Sequence, residues 1–161
     1  MEKIASFTVD HTRLQRGIFV SRQDRFGETV LTTFDIRLKR PNREPVLDNP
    51  ALHTIEHLGA TFLRNHPVWG PKTVYFGPMG CRTGFYVIFE GALTSREILP
   101  LIRNLFNWIA EFNGPLPGAS AEECGNYLDH NVGMARWEAR RFLEVLNNPL
   151  PENLEYPASN K

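Results

Sequence analysis

The sequence predicts an α+β fold, a single domain over residues 1–161 in which an antiparallel sheet carries helices packed on one face. Three observations lead there. Short segments with strand-like apolar alternation sit at 28–39, 73–76 and 84–91, and segments with helical spacing at 51–65, 94–112 and 132–146. The two kinds are mixed without the regular strand–helix–strand rhythm that builds a parallel sheet. The chain has 161 residues, of which 42% are hydrophobic and 22% charged. That length buries roughly two-thirds of the unfolded surface, and the composition is that of an ordinary globule rather than a disordered chain.

Glu28 to Lys39 reads as a strand. Val30, Phe34, Ile36 and Leu38 share the core-facing parity, and Asp35, Arg37 and Lys39 share the other. Pro41, Asn42 and Pro45 end it. Asn49-Pro50 reads as a helix start, with Asn49 as N-cap and Pro50 at the first helical position. Leu52, Ile55, Leu58 and Phe62 carry the helix to about Asn65, where His66-Pro67 closes it. Thr73 to Phe76 and Gly84 to Gly91 follow as strands, joined by the Gly- and Pro-rich turn 77–83. Thr94-Ser95-Arg96-Glu97 is a capping box opening a helix to about Phe112. Ser120 to Glu123 reads as a second capping box, which puts Cys124 in the first turns of a helix. The last helix spans Val132 to Leu146, and the proline-containing remainder, 147–161, reads as a loosely attached tail.

Lys+Arg and Asp+Glu both number 18. Zero net charge leaves no general footprint for nucleic acid or anionic membrane and favours a small-molecule partner. No apolar run approaches the ~20 residues of a membrane span. The first residues lack the basic-then-apolar pattern of a secretory leader. The expected location is therefore cytoplasmic, where the two cysteines, Cys81 and Cys124, do packing, metal or catalytic work rather than form a disulfide.

The chemistry-bearing stretch is His53-Thr54-Ile55-Glu56-His57. Histidines at i and i+4 share a helix face one turn apart, so both imidazoles can reach one cation. Glu56 projects toward the same site and can move protons without being a ligand. The pattern is the inverted zinc-peptidase motif. Two histidines do not complete a catalytic metal site, which generally takes three protein ligands. Cys124 is a candidate third, with His11, His66 and His130 as competitors. His130 is set aside because six residues from Cys124 is poor spacing for a shared helical face. Cys81, held in a glycine-rich turn beside Arg82, suits a nucleophile or acid/base group.

These residues together carry a resemblance. The segments 53–58, 78–84, 34–37 followed by Pro41-Asn42, 6–11, and Cys124-Gly125 occur in the order and company that closely resemble the S-ribosylhomocysteine lyase (LuxS) family. The resemblance spans about Ser6 to Leu146. It implies that His53, His57 and Cys124 hold one divalent metal per subunit, typically Fe(II), with Zn or Co able to occupy the site. It implies Cys81 as the catalytic cysteine, Glu56 as the second acid/base and Arg37 as the arginine near that cysteine. Ser6, His11 and Arg64 correspond to substrate-binding positions. The implied assembly is a homodimer with two equivalent interface sites. The sequence departs from many members at 73–77 and at Leu38-Lys39-Arg40.

The implied reaction cleaves the thioether of S-ribosylhomocysteine to homocysteine and 4,5-dihydroxypentane-2,3-dione, the autoinducer-2 precursor of quorum sensing and a step of the activated methyl cycle. A Lewis-acidic metal and an acid/base pair walk the sugar carbonyl toward the sulfur until β-elimination releases the thiol. Arg37, on the polar parity of its strand, needs no burial to hold Cys81 as a thiolate. Two other readings stay open: a metallopeptidase or amidase, in which Glu56 would activate a metal-bound water, and a structural metal-binding module.

Overall fold

Ten residues from Gly17 to Phe26 form a strand, β1, that the sequence pattern hides. Only its first residues are buried, and a register shift between Val20 and Arg22 breaks the alternation. β1 pairs antiparallel with β2 (Thr29–Arg37) through a tight turn at Gly27. The computed structural model describes residues 2–158, and in it β3 (Thr73–Pro78) and β4 (Gly84–Glu90) complete a four-stranded antiparallel sheet in the order β1-β2-β4-β3. At Gly84 β4 lies close against β2, since a Cβ there would lie 2.1 Å from the Ile36 carbonyl oxygen.

Three helices, α1 (Asn49–Asn65), α2 (Ser95–Ala110) and α3 (Val132–Leu146), pack on one sheet face. That face presents Ile18, Phe34, Ile36, Phe85, Val87 and Phe89, all fully buried against helix residues such as Ile55, Leu58, Ile102 and Phe142. The fold is the α+β domain expected. Thr94 and Glu97 form the expected capping box of α2. For α1 the N-cap is Asp48, whose carboxylate accepts from the Ala51 amide at 3.2 Å, one residue before the position expected.

Two differences bear on function. The sequence pattern gives Asp35, Arg37 and Lys39 the solvated parity, yet all are buried. β2 is an interior strand, and the outer face of the sheet beside it is covered by residues after α3. That segment is not loose over 147–158: Leu154 is buried, the Asn153 side chain donates to the Arg16 carbonyl at 2.8 Å, and Tyr156 stacks on Phe19 at 4.9 Å. Residues 159–161 of the expected tail lie outside the described residues. Lys39 is buried because Glu138 of α3 reaches it at 2.7 Å.

Candidate active site

α1 presents His53 and His57 on one face, with Thr54 and Ile55 buried between them. Each imidazole is oriented by a backbone carbonyl: His53 Nδ1 lies 2.9 Å from the Asp129 oxygen and His57 Nδ1 2.8 Å from that of Pro117. A carbonyl only accepts, so each Nδ1 donates to it, and in the neutral ring that leaves the Nε2 lone pair for a metal. Both lone pairs face Cys124 Sγ, at 3.4 Å for His53 and 3.7 Å for His57. Two nitrogen ligands and a thiolate on one tetrahedral zinc-sized ion are separated by about 3.5 Å at usual bond lengths. A single thiol proton can satisfy only one of the two nitrogens. The donor set therefore fits a thiophilic divalent metal.

Cys124 does not sit in a helix. Ser120 Oγ donates to the Glu123 carboxylate and the Glu123 and Cys124 amides bond the Ser120 carbonyl, but these are not the reciprocal side-chain-to-backbone bonds of a capping box, and the chain then turns through Gly125 and Asn126. No apolar periodic run follows to propagate a helix. The backbone group at Sγ is the Asn126 amide, which donates to it at 3.5 Å, rather than a helix terminus.

His130, set aside on spacing, belongs to this cluster. The ligand atoms of His53, His57, Cys124 and His130 lie within 4.8 Å of one another. Helical spacing was the wrong criterion, because His130 arrives on the loop ahead of α3. Thr54 Oγ1 donates to the Pro50 carbonyl and accepts from the Asn131 amide, which makes His130 Nδ1, at 3.2 Å, a donor to it. His130 Nε2 then keeps a buried lone pair with no protein partner, and its ring stacks on His53 at 4.0 Å. Burial, and then the two neighbouring histidines, hold its pKa below the ordinary histidine value, so it stays neutral. Gly118 takes φ +68°, and a Cβ there would press on His57 Nδ1 at 3.1 Å. Glu56 is half-buried on α1, next to His57. His66 instead accepts the Val68 and Trp69 amides just past α1.

The second thiol lies in a different cavity of about 540 Å³, lined by Ser6, His11, Arg37, Cys81, Thr83 and Tyr86 among others. Neither Glu56 nor any member of the histidine cluster lines it. The turn carrying Cys81 is pinned: Met79 N bonds Gly84 O, Arg82 N bonds Met79 O, and Leu47 N bonds Arg82 O, each at 2.9 Å. Arg82 adopts a left-handed φ of 59° and directs its side chain to Asn49. The cation at the thiol is therefore Arg37, with Nη1 3.9 Å from Sγ. The Thr83 hydroxyl is 3.2 Å from Sγ. Partial burial pushes the Cys81 thiol up, but Thr83's hydroxyl and amide and then Arg37 outweigh it, leaving the pKa below the ordinary thiol value. Both cysteines are free, as expected.

Ser6 and His11 line the Cys81 cavity. Arg64 does not. Its guanidinium donates to the Thr73 and Val74 carbonyls, both at 2.7 Å, and ties the end of α1 to β3. Pattern reading missed Thr83, Asp35 and Tyr156, which surround Arg37. Only the threonine two residues past Cys81 offered a local signal. Among the described residues no helix is long and apolar enough to cross a membrane.

Comparison with known proteins gives a family. The family model described as S-ribosylhomocysteinase (LuxS) matches residues 4–152. An S-ribosylhomocysteine lyase of Clostridium acetobutylicum is 58% identical over 157 residues, covering 98% of this chain and 99% of the relative. One from Clostridium beijerinckii is 59% identical over 158 residues, with 98% and 99% covered. One from Desulfotalea psychrophila is 56% identical over 159 residues, with 98% and 100% covered. With a match running from the first residues through α3, the chain belongs to the S-ribosylhomocysteinase (LuxS) family.

Proposed function

We propose that this chain is a metal-dependent carbon–sulfur lyase that cleaves S-ribosylhomocysteine to homocysteine and 4,5-dihydroxypentane-2,3-dione. The observation that carries the reading is the contrast between its two thiols. Cys124 faces two imidazole lone pairs, whereas Cys81 stands in a separate cavity beside a buried guanidinium. A structural metal module would need the first and leave the second without a task. In a peptidase, a thiolate ligand would weaken the metal as an activator of water.

His53, His57 and Cys124 would hold the divalent metal, Fe(II) with Zn or Co as substitutes, and His130 adds a nitrogen beside them. Bound there, the metal supplies Lewis acidity to the carbonyl and hydroxyl oxygens of the opened sugar. Cys81, as thiolate, takes the proton alpha to the carbonyl and returns it to the neighbouring carbon. Arg37 and Thr83 hold that thiolate. Glu56 is the second acid/base group. When the carbonyl stands beta to the sulfur-bearing carbon, loss of the intervening C–H proton breaks the C–S bond, and the departing homocysteine sulfur is protonated. Ser6 and His11 contact substrate in the Cys81 cavity, while the substrate role of Arg64 rests on resemblance alone.

Because Glu56 and the histidine cluster do not line the Cys81 cavity, we infer that a second copy of the chain completes each site. The outer sheet face suits such a copy, with Tyr75, Tyr86, Ile88 and Ile4 bordering a groove there. The free thiols fit a cytoplasmic location. The dione would be the autoinducer-2 precursor, and its release a step of the activated methyl cycle.

The test is thiol titration during incubation of metal-loaded protein with S-ribosylhomocysteine. Thiol appears with the wild type, and Cys81→Ala keeps its metal but releases none. No release by verified metal-loaded wild type overturns the reading. Mixing inactive Cys81→Ala with inactive His57→Ala chains restores activity if the site is shared. Inactive verified mixed dimers would refute the shared site.

A further inference from the structure

Arg37, which with Thr83 holds the Cys81 thiol, is tied onward to the far end of the chain through Asp35 and Tyr156, two residues that the proposed chemistry does not use. Arg37 divides its guanidinium. Nη2 donates to Asp35 Oδ2 at 2.5 Å, and Nη1 donates to Thr83 Oγ1 at 2.5 Å while approaching Cys81 Sγ. Tyr156 donates to the same Asp35 oxygen at 2.8 Å. Asp35 and Arg37 are respectively 1% and 3% exposed.

Arginine–carboxylate pairs are frequently two-pronged, with both oxygens engaged. Here Asp35 Oδ1 and Arg37 Nε are buried without partners. Leaving such groups unmade is costly, and the geometry it leaves is one that keeps Nη1 at the thiol. Burial pushes the Asp35 carboxyl up, against the pull of Arg37 and Tyr156. Burial, and then the Asp35 charge, push the Tyr156 hydroxyl far above its ordinary value, so it remains a donor.

The segment bearing Tyr156 is fixed independently of this contact. Its ring lies flat on Phe19, the cross-strand neighbour of Asp35. Gly17 lets the chain at Asn153 lie against β1, since a Cβ there would fall 2.0 Å from the Asn153 carbonyl oxygen.

We propose that Asp35 and Tyr156 are positioning residues for Cys81: the tyrosine shares the Asp35 oxygen with Arg37, and that sharing keeps the guanidinium on the thiol. Without the hydroxyl, the less compensated carboxylate draws Arg37 toward itself. The thiolate then loses its cation and meets a stronger negative charge, and both effects disfavour it. The charged and titratable groups around Cys81 are Arg37 and Asp35 on β2, Tyr86 on β4, Arg82 beside it, His11 and Glu44 across the cavity, and Tyr156 behind.

Cys81 is taken here as the reactive thiol of the function proposed above, but the test does not depend on turnover. The rate of iodoacetamide alkylation is followed against pH on metal-loaded, full-length protein, with the Cys81 peptide quantified by mass spectrometry. In Tyr156→Phe the midpoint of the profile rises and the rate at neutral pH falls about two- to fivefold, because the bond to the Asp35 carboxylate acts on the thiol only through Arg37. The limiting rate at high pH is unchanged. In an Asp35→Asn/Arg37→Met background, which removes both charges of this pair, adding Tyr156→Phe has no effect on the profile. An unmoved midpoint in Tyr156→Phe, or the same shift in both backgrounds, overturns the proposal. Failure of the lyase assay with the alkylation shift intact would sink the function and leave this coupling standing.

Discussion

Gly118→Ala tests how the loop before Cys124 sets the metal centre. Gly118 has φ +68°, where an alanine is strained by about 1–2 kcal/mol. The new Cβ would stand 3.1 Å from His57 Nδ1 and 3.3 Å from Cε1, so ring or loop must give way. The 2.8 Å bond from His57 Nδ1 to the Pro117 carbonyl is one residue away and takes the displacement. Losing the partner that orients a ligating histidine costs roughly 10- to 100-fold in metal affinity, or about 1.4–2.8 kcal/mol. Gly114→Ala is the control, because nothing lies within 4 Å of its Cβ position and its φ is not left-handed. Zinc dissociation constants would be read by competition with a chromophoric chelator for wild type and both variants. Gly118→Ala is expected to bind at least about tenfold more weakly than Gly114→Ala. Equal affinities would refute the claim that the Pro117–Gly118 loop orients His57.

Three further outcomes follow from the packing and the thiol. Thr83→Val removes the hydroxyl at Cys81. Because the wild-type pKa is depressed, reactivity below the ordinary thiol value is what disappears, and the alkylation profile moves to higher pH. Phe142→Ala empties a fully buried site packed edge-on against Phe106 at 4.8 Å and costs about 3–5 kcal/mol, read by urea denaturation. Glu138→Ala leaves Lys39 buried without its partner and costs a similar ~3–5 kcal/mol, whereas Glu144→Ala, in an exposed pair with Arg141, changes stability by less than about 1 kcal/mol.

How much was legible in the sequence varies with how local the signal is. α3 has the expected limits, and α2 has its capping box, because a helix start and a 3.6-residue period are written in neighbouring residues. β1 escaped because an edge strand with a bulge and a charged outer half has no sustained alternation. The histidine pair was legible since i, i+4 on a helix is a local geometry. His130 was not, since it reaches the cluster from a loop fixed by Thr54 and Asn131. The Ser120–Glu123 pattern joined its two side chains to each other instead of to the backbone amides and opened no helix, because a cap needs a propagating segment behind it. The burial of Arg37 depended on contacts across 121 residues, from Tyr156 to Asp35, which no pattern within one strand reports.

The most direct test of the central claim measures metal content and thiol release together on one anaerobically purified sample. Wild-type protein carrying one divalent metal per chain is expected to release homocysteine thiol from S-ribosylhomocysteine, Cys81→Ala to retain the metal without releasing thiol, and His57→Ala to lose both. Metal-loaded wild type that releases no thiol, or a Cys81→Ala variant that turns over like wild type, would contradict it.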